Sequence, residues 1–343
     1  MPHSPRLKIA HTVHTADGWQ LVLYRDQPRS GRAGEPVLLL HGLASTPECW
    51  YGGCAGGIGG SLAESGRDVW TLELRGGPHS QHLTDPNTVR VSDKLKHDIP
   101  TAIQYILAQT GARALDAVGH SMGGVLLTLH ALTTPQTAIR RLVTIGSPLA
   151  LDKGTIPLII RNQLGELIAR QLPRVPLKLL SSRFSRLIPA RLLPTHFEPA
   201  LAQRDTVRQT LTHHVSDVFG SELEELVRWI TTADPAALMT ACTTRYHTRL
   251  PIPTLFLVGA NDSLTTAAAV KRTHDAIGTA HSTLHIIGRD SGYSYDYRHF
   301  DVLVGGRISS EVTPLVRDWL EHARIQPPQP RPARRSLLKR LRR

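Results

Sequence analysis

No stretch of this 343-residue chain approaches the roughly 20 uninterrupted apolar residues needed to cross a bilayer as a helix. The segment from Met1 to Val13 has no apolar run of signal-peptide length, so no secretory leader is expected. Aromatic residues make up only 5% of the chain, too few for a base-stacking surface, and no nucleic-acid partner is expected. Three cysteines, Cys49, Cys54 and Cys242, cannot all pair with one another and show no metal-ligand spacing. Such usage fits a reduced, cytoplasmic setting. What the chain does have is ordinary globular content, 41% hydrophobic, enough for two domains or one large α/β domain carrying an insertion.

The net charge of +12 is concentrated in two places. Residues 161–191 hold seven basic residues against one acid, Glu166, a local charge of +6. Residues 331–343 hold seven basic residues and no acid, a local charge of +7, so everything else sums to −1. The basicity belongs to two appendages on a near-neutral body.

Residues Leu7 to Val13 and Trp19 to Tyr24, flanking Ala16-Asp17-Gly18, predict a β-hairpin. Short apolar runs then recur at Val37–Leu40, Asp68–Leu72, Leu115–Val118, Leu142–Ile145, Thr254–Val258 and Leu284–Ile287. Helix-like stretches such as Asp93–Gln109 and Gly123–Leu132 separate most of them, and a last helix is expected over Glu311–Arg324. That alternation predicts an α/β fold, a mostly parallel sheet with helices on both faces. It breaks between about Pro148 and Pro251, where no strand is evident and prolines punctuate helical stretches. There Leu177, Leu180, Phe184, Leu187, Ile188 and Leu192 recur at helical spacing, with Lys178, Arg183, Arg186 and Arg191 interleaved. The expected organisation is a core over 1–147, a helical cap or lid insertion over 148–250, the rest of the core over 251–325, and a basic Pro/Arg-rich tail over 326–343.

Gly119-His120-Ser121-Met122-Gly123 fits G-x-S-x-G, with Gly124 next. A strand ends at Val118 and a helix-forming run begins at Val125, so the serine sits on a strand-to-helix turn. Such a turn lifts the serine oxygen clear of the sheet, and the helix N-terminus favours negative charge developing beside it. Ser121 is therefore the candidate nucleophile. His41-Gly42-Leu43 follows an early strand, where the backbone N–H groups of Leu43 and Met122 would form an oxyanion hole. His41 itself is expected to orient that loop rather than act as a base.

A base and an orienting acid should follow in the order Ser, Asp or Glu, His. Asp262 leaves the strand Thr254–Val258, and His299 lies between the last strand and the final helix. His281 and His285 are poorer candidates, one before the last strand and the other within it, and Asp290, Asp296 and Asp301 are the rival acids.

Together, His41-Gly42, Gly119 to Gly124, Asp262 and His299 resemble the α/β-hydrolase superfamily over about residues 7–324, apart from a variable cap. The segment Tyr297 to Gly305 resembles the histidine region of acid lipases and polyhydroxyalkanoate synthases. Leu74-Arg75-Gly76-Gly77-Pro78-His79-Ser80 resembles the superfamily's Arg-Gly-x-Gly-x-Ser segment, altered at its second glycine. The synthases carry cysteine where this chain has Ser121, and epoxide hydrolases and dehalogenases carry aspartate. The resemblance therefore implies a serine carboxylesterase or lipase acting on hydrophobic esters, with no cofactor or metal. An acyltransferase using the same nucleophile, or an inactive binding protein on the same fold, are the alternatives.

Other signals read more plainly. The glycine-rich run Gly52 to Gly60 lacks the Lys-Ser/Thr ending of a phosphate loop and is expected to be a flexible loop and helix start. His213, His214 and Asp217 are expected to be solvated cap residues, since adjacent histidines on a helix point to different faces. The basic tail could serve as a nucleic-acid arm, a membrane tether or a disordered, solubilising extension, and the cationic cap together with the tail as a contact for anionic membrane.

Overall fold

The structure, a computed structural model, describes residues 8–28, 34–52, 56–82, 89–134, 136–152, 173–184, 197, 204–238 and 247–323. The basic tail, Cys54, Cys242, most of the segment 161–191 and the apolar Leu187, Ile188 and Leu192 lie outside the described residues.

The hairpin forms from β1 (Ile9–His14) and β2 (Trp19–Asp26), paired antiparallel from Ile9↔Arg25 to His14↔Gln20. β3 (Pro36–Leu40), β4 (Asp68–Glu73), β6 (Leu115–His120), β7 (Ile139–Ile145), β10 (Thr254–Gly259) and β11 (Ser282–Ile287) run parallel. Among the described residues nine strands form one sheet in the order β1-β2-β4-β3-β6-β7-β10-β11, with β5 (Gln81–His82) against β2. Alternation of side chains puts Leu38 and Leu40 in the core on one face of the sheet, while Val37 and Leu39 join the core on the other. Both faces are covered, so the parallel strands read as unbroken apolar runs rather than alternating ones.

The first helices are α1 (Gly57–Glu64) and α2 (Ile99–Thr110). The chain enters α2 through the wider turn Lys94–Asp98, a π-type irregularity inside the expected Asp93–Gln109 helix. α3 (Met122–Thr133) is buried from Met122 through Leu132, as expected of a helix apolar all round its circumference.

The order 4-3-6 sets the position of the site. From β3 the chain moves to one side for β4, then crosses to the other for β6, so winding reverses between β3 and β6. Ligands of open α/β sheets bind outside the carboxyl ends of strands at such a reversal. The loop after β3 and the serine after β6 meet there, with Leu40 paired to Gly119 in register.

The described part of the region 148–250 departs from the expectation of no strand. It contains two short strands, β8 (Arg174–Val175) and β9 (Val218–Phe219), paired antiparallel. At two residues each they are too short to show a period. The helices there are α4 (Leu177–Phe184), α5 (Arg204–Gln209) and α6 (Gly220–Thr232). α7 (Ala267–Ile277) follows β10, and α8 (Thr313–His322) closes the described chain, entered through another wide turn, Ile308–Val312. Among the described residues no helix is long and apolar enough to cross a membrane.

Candidate active site

Ser121 caps α3 with φ 53° and ψ −124°, a backbone conformation that costs a non-glycine residue about 1–3 kcal/mol. The turn is held because the Ser121 N–H donates to the Ile145 carbonyl at 2.8 Å and its own carbonyl accepts from Val125 N–H at 3.1 Å. The strain falls on the serine itself; the neighbouring glycines supply room instead. A Cβ on Gly123 would fall on the carbonyl oxygens of Leu40 and His41, and one on Gly119 would lie 2.5 Å from Gly124 Cα. The elbow can thus pack directly between β3 and β7. Met122, Gly123 and Gly124 are the first residues of α3, whose N–H groups have no acceptor within the helix.

His41 is buried and serves the neighbouring loop. Its Nδ1–H donates to the Gly42 carbonyl at 2.9 Å, and its Nε2 accepts from Leu74 N–H at 3.3 Å. Burial pushes its pKa down to about 4, so the ring stays neutral and keeps one donor and one acceptor. A trans peptide points its C=O and N–H in opposite directions, so holding the Gly42 carbonyl also aims the Leu43 N–H. Ala44 follows with φ 52°, and the loop is then fastened to a distant segment. Ser216 N–H donates to the Ala44 carbonyl at 3.0 Å and Thr46 N–H to the His214 carbonyl at 3.1 Å.

That fastening corrects one expectation. His214 is buried, 7% exposed, with its ring against Gly52, rather than solvated; burial lowers its pKa to about 4. His213 is exposed, and Asp217 pairs with Arg174 and accepts from Lys178 N–H at 2.8 Å.

Asp262 and His299 are brought together from separate loops. His299 Nδ1 lies 2.8 Å from Asp262 Oδ2, both groups being almost wholly buried. The other carboxylate oxygen, Oδ1, accepts from Leu264 N–H at 2.9 Å and Thr265 N–H at 2.8 Å. Burial pushes the Asp262 carboxyl up, but the adjoining His299 ring and these hydrogen bonds outweigh it and hold the group below its ordinary value. Of the rival acids, Asp296 accepts from Arg289 N–H and Asp301 from Arg298 N–H. His285 bonds to the Tyr293 hydroxyl at 2.6 Å.

His120, the variable residue inside the elbow, ties the two loops together. Its Nε2–H donates to the His299 backbone carbonyl at 3.0 Å, and the two rings stand 4.6 Å apart. Burial, with His299 alongside, lowers its pKa to about 3, so it stays neutral. Nothing in the five-residue motif signalled this strap, because its partner lies 179 residues away. The altered glycine segment is structural: Arg75 is buried and forks onto Asp98 and Asp17.

A cavity of about 600 Å³ lies against Ser121, Leu43, Met122 and His299 and is lined almost entirely by carbon. Its opposite wall comes from Leu177 and Leu180 of α4 and from Leu223, Leu226, Trp229 and Ile230 of α6. α6 is held in place by polar anchors: Glu225 accepts from Ser92 N–H and Oγ–H, Lys94 pairs with Glu222, and Trp229 Nε1–H donates to the Leu149 carbonyl. Among the described residues no group of three His, Cys, Asp or Glu side chains is placed to hold a metal ion.

Residues 35–288 match the family described as the α/β hydrolase fold. Triacylglycerol lipase 1 of Arabidopsis thaliana is 32% identical over 163 residues, covering 44% of this chain and 41% of the relative. Gastric triacylglycerol lipase of Bos taurus is 33% identical over 141 residues, covering 37% and 36%. The chain thus spans about two-fifths of the length of the curated relatives it matches. The crystal structure of a soluble variant of monoglyceride lipase from Saccharomyces cerevisiae is similar over 93% of this chain and 97% of its own, with a TM-score of 0.64. At 16% identity that likeness speaks for the fold alone.

Proposed function

Because the chain belongs to the α/β-hydrolase family, we propose that it is a serine hydrolase cleaving hydrophobic carboxylic esters through Ser121, His299 and Asp262. The observation that carries this reading is the buried Asp262–His299 pair opening, beside Ser121, onto an apolar cavity. With Nδ1–H committed to Asp262, the free Nε2 of His299 takes the proton of Ser121 as its oxygen attacks the ester carbonyl. The N–H groups of Leu43 and Met122 hold the tetrahedral oxyanion. His299 then hands its proton to the departing alcohol, leaving an acyl-enzyme. Water, deprotonated by His299, releases the acid and restores Ser121. The apolar lining favours an acyl chain over a charged substrate, since a charge there would lose its hydration without a partner.

In the same proposal the helices between β7 and β10 act as a cap over the acyl site, in a protein of the cytoplasm. Leu179 and Leu180 on α4 are 61% and 45% exposed, with Lys178 and Arg183 beside them. This supports contact of that face with anionic membrane, where many esters reside. Flotation with anionic vesicles at low salt is expected to carry the protein; failure to float removes the membrane part alone.

The test of the reaction is a p-nitrophenyl ester series from short to long acyl chains. Saturable hydrolysis that disappears in Ser121→Ala is expected. Absence of turnover across the series contradicts the reading.

A further inference from the structure

Thr265 completes a triangle with the two groups that face each other in the site. Its Oγ1 lies 2.7 Å from Asp262 Oδ2 and 3.1 Å from His299 Nδ1, while Nδ1 lies 2.8 Å from the same Oδ2. Three atoms thus share two protons in a pocket where Thr265 is only 5% exposed. Oδ1 is already taken by the two backbone N–H groups, so the hydroxyl and the imidazole both converge on Oδ2.

The direction of each bond follows from donor inventory. An ionised carboxylate only accepts, and a threonine hydroxyl has one proton to give. A hydrogen bond to a charged oxygen is the stronger choice, so Thr265 donates to Asp262. Its lone pair is then turned toward Nδ1, a position that suits a proton on that nitrogen and disfavours a bare one. The bare nitrogen is consequently Nε2.

We infer that Thr265 is a positioning residue: its hydroxyl fixes the orientation and the Nδ1–H tautomer of His299 while sharing the negative charge of Asp262. The geometry leaves it little slack, because even a Cβ at Gly146 would stand 3.0 Å from Oγ1. Two titratable groups face the His299 ring, Asp262 on one side and His120 on the other. His120 stays neutral, so Asp262 is the charge whose distribution His299 senses.

The inference rests on the serine-hydrolase reading and is tested separately from it. Initial rates on p-nitrophenyl butyrate are measured across pH for the wild type, Thr265→Val and Thr265→Ser. Thr265→Val keeps the shape and removes the hydroxyl. Its kcat is expected to fall about tenfold with KM within about twofold. With Oδ2 no longer shared, the imidazolium form is better stabilised, and the acid limb of kcat/KM moves up by roughly half a pH unit. Thr265→Ser is expected to restore both values. The low-field proton resonance of His299 Nδ1–H should move further downfield in Thr265→Val and return in Thr265→Ser, a readout independent of turnover. Should Thr265→Val fail to fold, Thr265→Ala serves with the same expectations.

Wild-type kcat together with an unmoved acid limb and resonance in the hydroxyl-free variant would overturn the inference while sparing the hydrolase reading. Equal impairment of Thr265→Ser and Thr265→Val would overturn it as well, by assigning the effect to packing. A wild type that hydrolyses no ester removes both.

Discussion

The two walls of the cavity are held in different ways. On the sheet side, the loops after β3, β6 and β10 meet through backbone contacts and buried hydrogen bonds, with glycines where a side chain would collide. On the opposite side, α4 and α6 present leucines, a tryptophan and an isoleucine, and α6 is tied down by a few polar anchors. The first wall tolerates almost no substitution because its function is geometric. The second asks only for apolar volume, so it is where substrate choice can vary without disturbing the chemistry.

The largest expected effect lies in the sheet-side wall. Ser121→Gly removes both the nucleophile and the Cβ that makes φ 53° costly. Ester hydrolysis should fall by roughly 10⁴-fold or more, while thermal stability rises by up to about 1 kcal/mol. Loss of activity together with loss of stability would mean that the serine is not strained in the way described. Next comes Asp262→Asn, which leaves an amide where His299 Nδ1 needs an acceptor. A drop in kcat on the order of 10³ to 10⁴ is expected, and a change below tenfold would detach Asp262 from the chemistry.

Much of the sheet-side wall was legible in advance. Apolar runs of four or five residues and the spacing of Gly119, Ser121 and Gly123 are local signals, and chain order pointed to Asp262 and His299. Other features depend on contacts that no local pattern carries. His214 is buried because Thr46, 168 residues earlier, bonds to its backbone, and β8 and β9 are strands only because they find each other. Thr265 sits in a run of threonines and alanines; the one available hint was a hydroxyl three residues after an aspartate that leaves a strand, a spacing suited to capping. That Ser121 rather than a glycine carries the positive φ is likewise a product of the packing around the elbow.

A third prediction compares the walls by pH. Burial lowers the pKa of His41, His130 and His214 to about 4 and of His120 to about 3, from an ordinary 6.5. Below about 6.5 the unfolded chain takes up protons that these folded sites refuse, so stability is full above neutral pH and declines from about pH 6.5 down to about 4. His41, His130 and His214 contribute at most about 3 kcal/mol each, and His120, whose share extends to about pH 3, at most about 5 kcal/mol. Calorimetry at constant ionic strength should show it. His214→Gln should remove only the share of the segment between β7 and β10, leaving most of the slope with the core histidines. A flat profile between pH 7 and 5 would contradict the burial of these rings.

The smallest effect is expected on the helical wall. Leu223→Ala enlarges the cavity from α6 at a position that is only partly buried. Relative kcat/KM among acyl chain lengths should shift by about three- to tenfold toward bulkier chains, with stability changed by less than about 1 kcal/mol. Uniform loss across all chain lengths would show that this wall also holds the reacting groups.

The central claim is that Ser121 is an activated nucleophile, and covalent labelling tests it most directly. Incubation with a fluorophosphonate, followed by peptide mapping, should find one adduct on Ser121, slowed in Asp262→Asn and absent in Ser121→Ala. No adduct on the folded protein, or an adduct on another serine that persists in Ser121→Ala, would contradict the account.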